Sequence, residues 1–219
     1  MLRVMKRKER FERVLGYFRE QQPIATTELQ FASAFQLLVA TVLSAQCTDK
    51  RVNMVTPDLF GRFPDARSMA AAEIDDVLEY VKSVSYPNSK AQHLVALSRM
   101  IVSDYGGEVP SDGKELERLP GVGRKTADVV QAVWFGKPTL AVDTHVFRVS
   151  RRLGLVPSSA DTPQKVERAL MRYIPIDEVS TAHHWLLLPG RYVCQSQRPK
   201  CEDCQFDDFC PKILENSKL

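Results

Sequence analysis

Apolar residues recur at helical spacing along most of this chain, and no segment alternates convincingly as a strand. Over residues 6–20, Phe11, Val14, Leu15 and Phe18 share one face, which predicts an amphipathic helix ended by Pro23. Thr26 and Thr27 open a linker to Ser33, a residue suited to cap the run Ala34–Gln46. That run is apolar nearly all round yet too short to cross a bilayer, so it predicts the central buried helix of a bundle. The polar residues Ser44 to Asp49 follow it, either lining a cleft or serving as plain caps. Thr48 or Asp49 would start the next helix, with Val52 and Val55 inward. Cys47 reads as a small core residue. Short helices are expected at Met69–Leu78 and Ser89–Tyr105, the second carrying Leu94, Leu97, Ile101 and Tyr105 on one face before Gly106–Gly107. Between them Ser85–Tyr86–Pro87–Asn88 reads as a turn whose Tyr86 is either exposed or a lid on the core. The pattern as a whole predicts an all-α fold.

The chain is organised around Leu119–Val130, LPGVGRKTADVV. A helical run over Lys114–Leu119 meets Pro120, two glycines allow a tight turn, and a second helical run follows until Gly136 and Pro138. Gly121 and Gly123 let the turn's backbone come close to whatever docks there, and the free N–H groups at the second helix start form an anion site. Helix, glycine hairpin and helix therefore make a phosphate-gripping device. Arg124 and Lys125 stand where cations are disfavoured by about 0.3–1 kcal/mol each. Arg124 can answer a phosphate. For Lys125 the positive helix end favours the neutral amine, the form that attacks carbon, but two phosphate-binding cations explain the pair equally well.

Downstream, Asp143 precedes a helix within Ala141–Gly154 whose apolar face is Val146, Val149 and Leu153. Asp there reads as an N-cap worth about 1 kcal/mol, and His145 as a hydrogen-bonded structural residue. Thr162–Pro163 starts a helix through Tyr173, and a last helix over Glu178–Leu188 carries His183, His184 and Trp185 before a Pro189–Gly190 stop.

Composition changes this picture little. The 219 residues, 44% hydrophobic and 26% charged, describe one large or two small globular domains. The net charge of +3 drives no global attraction to nucleic acid, so a DNA face must come from local groups: Arg3–Arg10, Arg148–Arg152, and Arg198 with Lys200. No run suits a membrane span, and the basic N-terminus lacks the apolar core of a secretory signal, which points to the cytoplasm.

Cysteine usage changes it more. Cys194, Cys201, Cys204 and Cys210 stand as C-x6-C-x2-C-x5-C in a loop-rich tail. One cluster with a C-x2-C pair in a reducing compartment favours a metal site over two disulfides. Four thiolates suit zinc or a [4Fe–4S] cluster alike, and either would staple the tail and present the basic loop Gln195–Lys200.

Taken together, LLVATVLSAQCTD, NSKA, GEVP, LPGVGRKTADVV, AVDTHVFRV, HHWLLLPGRYVC and the four-cysteine tail resemble the endonuclease III family of helix-hairpin-helix DNA glycosylases. The motifs run from about Leu37 to Cys210 in the family's order. The resemblance implies two helical domains: residues 26–139 with the hairpin at about 114–135, and residues 1–25 with 140–219, carrying a [4Fe–4S] loop at 194–210. Zinc is the alternative occupant. It implies a monomer acting on damaged double-stranded DNA in the bacterial or archaeal cytosol, with no membrane partner. DNA would lie across the hairpin and the cluster loop, with the active site between the domains. The expected activity is excision of oxidised pyrimidines followed by β-elimination at the abasic site. Lys125 then matches the nucleophile and Asp143 the catalytic carboxylate. Gln46 matches the residue that enters the duplex where the base has left. Gly121, Gly123 and Arg124 would grip phosphate, aided by Arg198 and Lys200. The chain departs from the family at Ser85–Tyr86–Pro87, where Gly, a bulky aliphatic and Tyr are usual, so Tyr86 would be the wedge. It also departs at Pro189, where His is usual. Three other readings share parts of this pattern. The adenine glycosylase of the same superfamily usually lacks a Lys at position 125. A non-catalytic DNA-binding iron–sulfur protein needs neither Lys125 nor Asp143, and a helical zinc module needs no cluster.

Overall fold

The computed structural model describes residues 5–212, and Arg3 of the N-terminal basic group lies outside them. Among the described residues the secondary structure is helical throughout. In chain order the α-helices are α1 (Arg7–Gln21), α2 (Ala34–Ser44), α3 (Asp49–Arg62), α4 (Ala66–Ala70), α5 (Ile74–Val81) and α6 (Pro87–Tyr105). There follow α7 (Gly113–Arg118), α8 (Arg124–Val133), α9 (Thr144–Arg152), α10 (Pro163–Leu170) and α11 (Val179–Tyr192). The chain divides into two compact units, one spanning Thr27–Lys137 and one made of the segments up to Thr26 and from Pro138 onward.

The Thr27–Lys137 unit is built on α2. Ser33 caps it by accepting the Gln36 N–H at 3.2 Å, and every residue from Phe35 to Leu43 except Gln36 is buried. Leu37, Leu38 and Leu43 are fully enclosed, each contributing about 1.5–3 kcal/mol by burial. Around them pack Val52 and Leu59 of α3, Met69 of α4, Val77 and Val81 of α5, and Leu94, Leu97 and Ile101 of α6. The expected single helix at Met69–Leu78 is two helices. No glycine or proline marks the break, which is held by tertiary bonds. Asp65 caps α4 through the Ser68 N–H, while Arg99 of α6 donates to the carbonyls of Ala70 and Ala72 at 3.1 and 3.3 Å. Buried Met69 and Ala72 fix the corner from below.

The second unit has its own core. Phe11, Val14, Leu15 and Phe18 of α1 are buried as their spacing predicts, with Phe18 stacked on Trp185 of α11 at 5.8 Å between centroids. Val146, Val149 and Leu153 join the same cluster. The expected stop at Pro189 is corrected: α11 continues through it to Tyr192. A proline removes only its own N–H bond, and the flanking residues of α11 are held against α9, where Gly190 permits an approach an added Cβ would block at 2.8 Å from His145. The Pro189 carbonyl still accepts the N–H groups of Val193 and Cys194.

Candidate active site and nucleic-acid interface

The hairpin forms from α7, a turn and α8. Asp112 Oδ1 caps α7 by accepting the N–H groups of Lys114 and Glu115 at 2.9 and 3.2 Å. Buried Leu119 and Val122 anchor the turn, with Val122 N–H donating to the Leu119 carbonyl at 3.0 Å. The two glycines differ in cause. Gly121 sits at φ +78°, and an added Cβ would lie 2.8 Å from the His93 side chain, so the protein's own packing demands it. Gly123 is extended, and nothing lies within 4 Å of where its Cβ would stand. It is the N-cap of α8, and no side chain caps that helix. Arg124 and Lys125 are exposed on its first turn, Arg124 paired loosely with Asp128 at 3.7 Å. The hairpin therefore presents backbone donors and two cations at a helix mouth no side chain closes, which suits an anion.

Two other sequence-predicted residues of this unit share an unusual backbone. Gln46, just past α2, has φ +54°, and Tyr86, the N-cap of α6, has φ +55°. Tyr86 is 64% exposed, so it is no lid on the core. Pro87 is the first residue of α6, where its fixed φ suits a helix start. Cys47 packs partly buried against the unit's core, as expected of it. Lys90 has a role that the sequence reading does not assign it. It is 5% exposed, and its amine donates to the carbonyls of Leu43 and Ala45 at 2.8 and 2.7 Å. Burial pushes it below the usual lysine range. The signal was present, because position 90 falls on the stripe of Leu94, Leu97 and Ile101.

In the other unit Asp143 caps α9. Its Oδ1 accepts the N–H groups of His145 and Val146 at 2.9 and 2.8 Å. The segment before it is held by buried His183, whose Nδ1 lies 2.7 Å from the Ala141 carbonyl. His145 is a structural residue, its Nδ1 3.1 Å from Arg148 Nη2. The expected basic group Arg148–Arg152 is corrected: these guanidiniums serve carbonyls, not solvent. Arg148 donates to the carbonyls of Gly190 and Cys194 at 2.8 and 2.9 Å, Arg151 to that of Ala160, and buried Arg152 to those of Gln195 and Ser196. Burial pushes Arg148 below the ordinary arginine value, and the nearby Arg152 charge acts the same way. A run of arginines beside irregular chain is itself a sign of carbonyls needing donors.

Cys194, Cys201, Cys204 and Cys210 are all free thiols, and all four line one cavity walled by Val149, Leu153, Pro189, Val193 and Phe206. Among the described residues no three potential ligands converge into a formed metal site. The donor set nevertheless suits thiolates. Arg152 Nη1 stands 3.5 Å from Cys194 Sγ, and the Lys212 N–H donates to Cys210 Sγ at 3.4 Å. Burial pushes the Cys204 and Cys210 thiols up. Arg198, at φ +51°, and Lys200 are exposed on the loop between the first two cysteines. No helix among the described residues is long and apolar enough to cross a membrane.

Residues 39–175 match the model of the HhH-GPD superfamily of base excision DNA repair proteins. The chain is 43% identical to endonuclease III of Rickettsia conorii over 198 residues, 90% of this chain and 93% of that protein. It is 42% identical to endonuclease III of Escherichia coli K12 over 206 residues, 94% and 96% of the two chains. A solved structure of a trapped covalent intermediate between endonuclease III and DNA, an estranged-adenine complex, superposes with a TM-score of 0.88 at 41% identity, covering 95% of this chain and 97% of that one.

Proposed function

The chain belongs to the HhH-GPD superfamily of base excision DNA repair proteins and to its endonuclease III family, and from that premise we propose that Lys125 and Asp143 carry a DNA glycosylase and abasic-site lyase reaction on oxidised pyrimidines in duplex DNA. The observation that supports the reading most is the start of α8, a helix mouth with no side-chain cap and an exposed lysine on its first turn. Phosphate held there by backbone N–H groups and Arg124 sets Lys125 beside the sugar of the same strand.

With the target nucleotide turned out of the stack, C1′ of its sugar is exposed. The neutral Lys125 amine attacks C1′, the bond from C1′ to the base breaks, and the base leaves with its electron pair and takes up a proton. The bound amine gives up one of its two protons, O4′ takes up a proton as the C1′–O4′ bond breaks and the ring opens, and a protonated Schiff base links Nζ to C1′. That cation makes a C2′ proton acidic. Its removal expels the 3′ phosphate by β-elimination, and water then releases Lys125. Asp143 stabilises the positive charge that grows on the sugar and helps move protons, a role worth about 10²–10⁴ in rate. Its cap bonds both fall on Oδ1, so the carboxylate is oriented and Oδ2 remains to take a proton.

Gln46 fills the place the base vacates, and Tyr86, in the loop where this chain departs from its family, wedges the stack. Gly121, Gly123, Arg198 and Lys200 lie along the DNA backbone. Cys194, Cys201, Cys204 and Cys210 hold a [4Fe–4S] cluster, which closes the tail with four thiolates and supplies structure, not a reacting site. The protein works as a monomer in the cytosol, where its DNA is.

Sodium borohydride reduction of the protein on duplex DNA with one abasic site tests the nucleophile. Wild type forms a trapped adduct and Lys125→Gln forms none; an adduct of equal yield in Lys125→Gln would overturn the assignment. Iron and labile sulfide in the purified protein test the cluster, and zinc alone would replace it with the other closed four-thiolate site.

A further inference from the structure

The end of α2 is a turn with every carbonyl accounted for. Helix ends leave carbonyls without partners. Here the Thr41 carbonyl takes the Ser44 hydroxyl at 2.8 Å, that of Val42 takes the Ala45 N–H, and that of Ser44 takes the Cys47 N–H. The three that remain are served from α6 and the loop before it. Lys90 Nζ reaches the Leu43 and Ala45 carbonyls, and the Ser85 hydroxyl donates to the Gln46 carbonyl at 2.7 Å.

This closure surrounds two strained residues. Gln46 and Tyr86 both hold left-handed backbone without being glycine, a conformation that persists only where the surroundings over-determine it. They lie in separate loops, yet the Ser85 hydroxyl ties the loop of one to the backbone of the other. The same two residues are the exposed side chains placed above at the opened base pair.

We propose that Ser85 and Lys90 are positioning residues that lock the Gln46 and Tyr86 turns into one rigid two-pronged probe, so that opening of the duplex, not the chemistry at the sugar, depends on them. The inference rests on the glycosylase reading. Lys90 brings a cation to the end of α2, where the helix dipole favours it, and ties two carbonyls with one group. Ser85 supplies a hydrogen bond that couples the second loop to the first. A loose probe must be ordered again each time a base is extruded, and that cost falls on base excision. At a site already abasic there is no base to extrude, and the cost largely disappears.

The test compares two duplex substrates, one carrying an oxidised thymine and one carrying a preformed abasic site, for wild type, Ser85→Ala, Ser85→Thr and Lys90→Met. Ser85→Ala is expected to slow base excision about tenfold, the worth of one hydrogen bond, while strand cleavage at the abasic site stays near wild type. Ser85→Thr keeps the hydroxyl and restores excision. A 2-aminopurine placed opposite the lesion brightens on binding of wild type and less on binding of Ser85→Ala. Lys90→Met shows the same selective loss with a lowered melting temperature. Equal losses on both substrates, or no loss of excision in Ser85→Ala, would overturn the proposal. A wild type that traps on neither substrate overturns the glycosylase reading itself, and with it this inference.

Discussion

Two helix starts in this protein solve the same problem in opposite ways. At α9 a resident carboxylate closes the mouth: Asp143 Oδ1 takes two backbone N–H groups. At α8 the cap is Gly123, no side chain takes the donors, and Arg124 and Lys125 follow at once. Each unsatisfied N-terminus carries about half a positive charge. Closing it internally fixes an anion in place, and leaving it open invites one from outside. The first arrangement holds a carboxylate in a fixed orientation, and the second leaves backbone donors where an anion fits. Sequence alone shows Asp before one helix and Gly before the other; the bonds show which of the two mouths is closed.

The comparison breaks most severely at Lys125. Lys125→Gln is expected to abolish strand cleavage while duplex binding in a mobility-shift assay stays close to wild type, since Arg124 and the backbone donors remain. Next comes the carboxylate, where cap and chemistry separate cleanly. Asn caps as well as Asp, so Asp143→Asn should keep its melting temperature yet slow base excision by about 10²–10⁴. Asp143→Ala should lose the same activity and about 1 kcal/mol of stability besides. An Asn variant that unfolds would show the cap to be the dominant role.

The glycines sharpen the contrast. Gly121→Ala meets both a positive φ and the His93 ring, and should destabilise the protein by about 1–3 kcal/mol in denaturant unfolding. Gly123→Ala meets neither, and should leave stability within about 0.5 kcal/mol while weakening duplex affinity. The reverse order would show that the open mouth is not what DNA meets. The smallest effect lies at a third cap. The backbone N–H of Ser68, then its hydroxyl, hold the Asp65 carboxyl below the usual carboxylate range. The contribution is therefore complete above the ordinary Asp value and fades as pH falls through the lowered one. Asp65→Asn should flatten the low-pH edge of a melting-temperature profile slightly and leave neutral pH nearly unchanged.

Much of the fold was legible because it rests on local pattern. The apolar run of α2 behind Ser33, the stripe of α1, and the Asp143 cap before Val146, Val149 and Leu153 all depend on residues within one helix. What escaped depends on partners distant in sequence. The break between α4 and α5 is held by Arg99, and α11 passes Pro189 because Gly190 lies against His145. Arg148 and Arg152 read as surface charge until the carbonyls they serve are known. Lys90 is the instructive case. A charged residue on an apolar stripe was visible, but only the unfinished carbonyls at the end of α2 explain it.

The order of the chain also sets the order in which its cores can be completed during synthesis. Helix α1 leaves the ribosome before the elements it packs with, and Phe11, Val14, Leu15 and Phe18 face a core whose other members lie beyond Pro138. The Thr27–Lys137 unit draws its core from its own continuous stretch and can close while those members are still being made. Helix α1 is thus made well before its partners, and until they follow its apolar face needs shelter from other nascent chains.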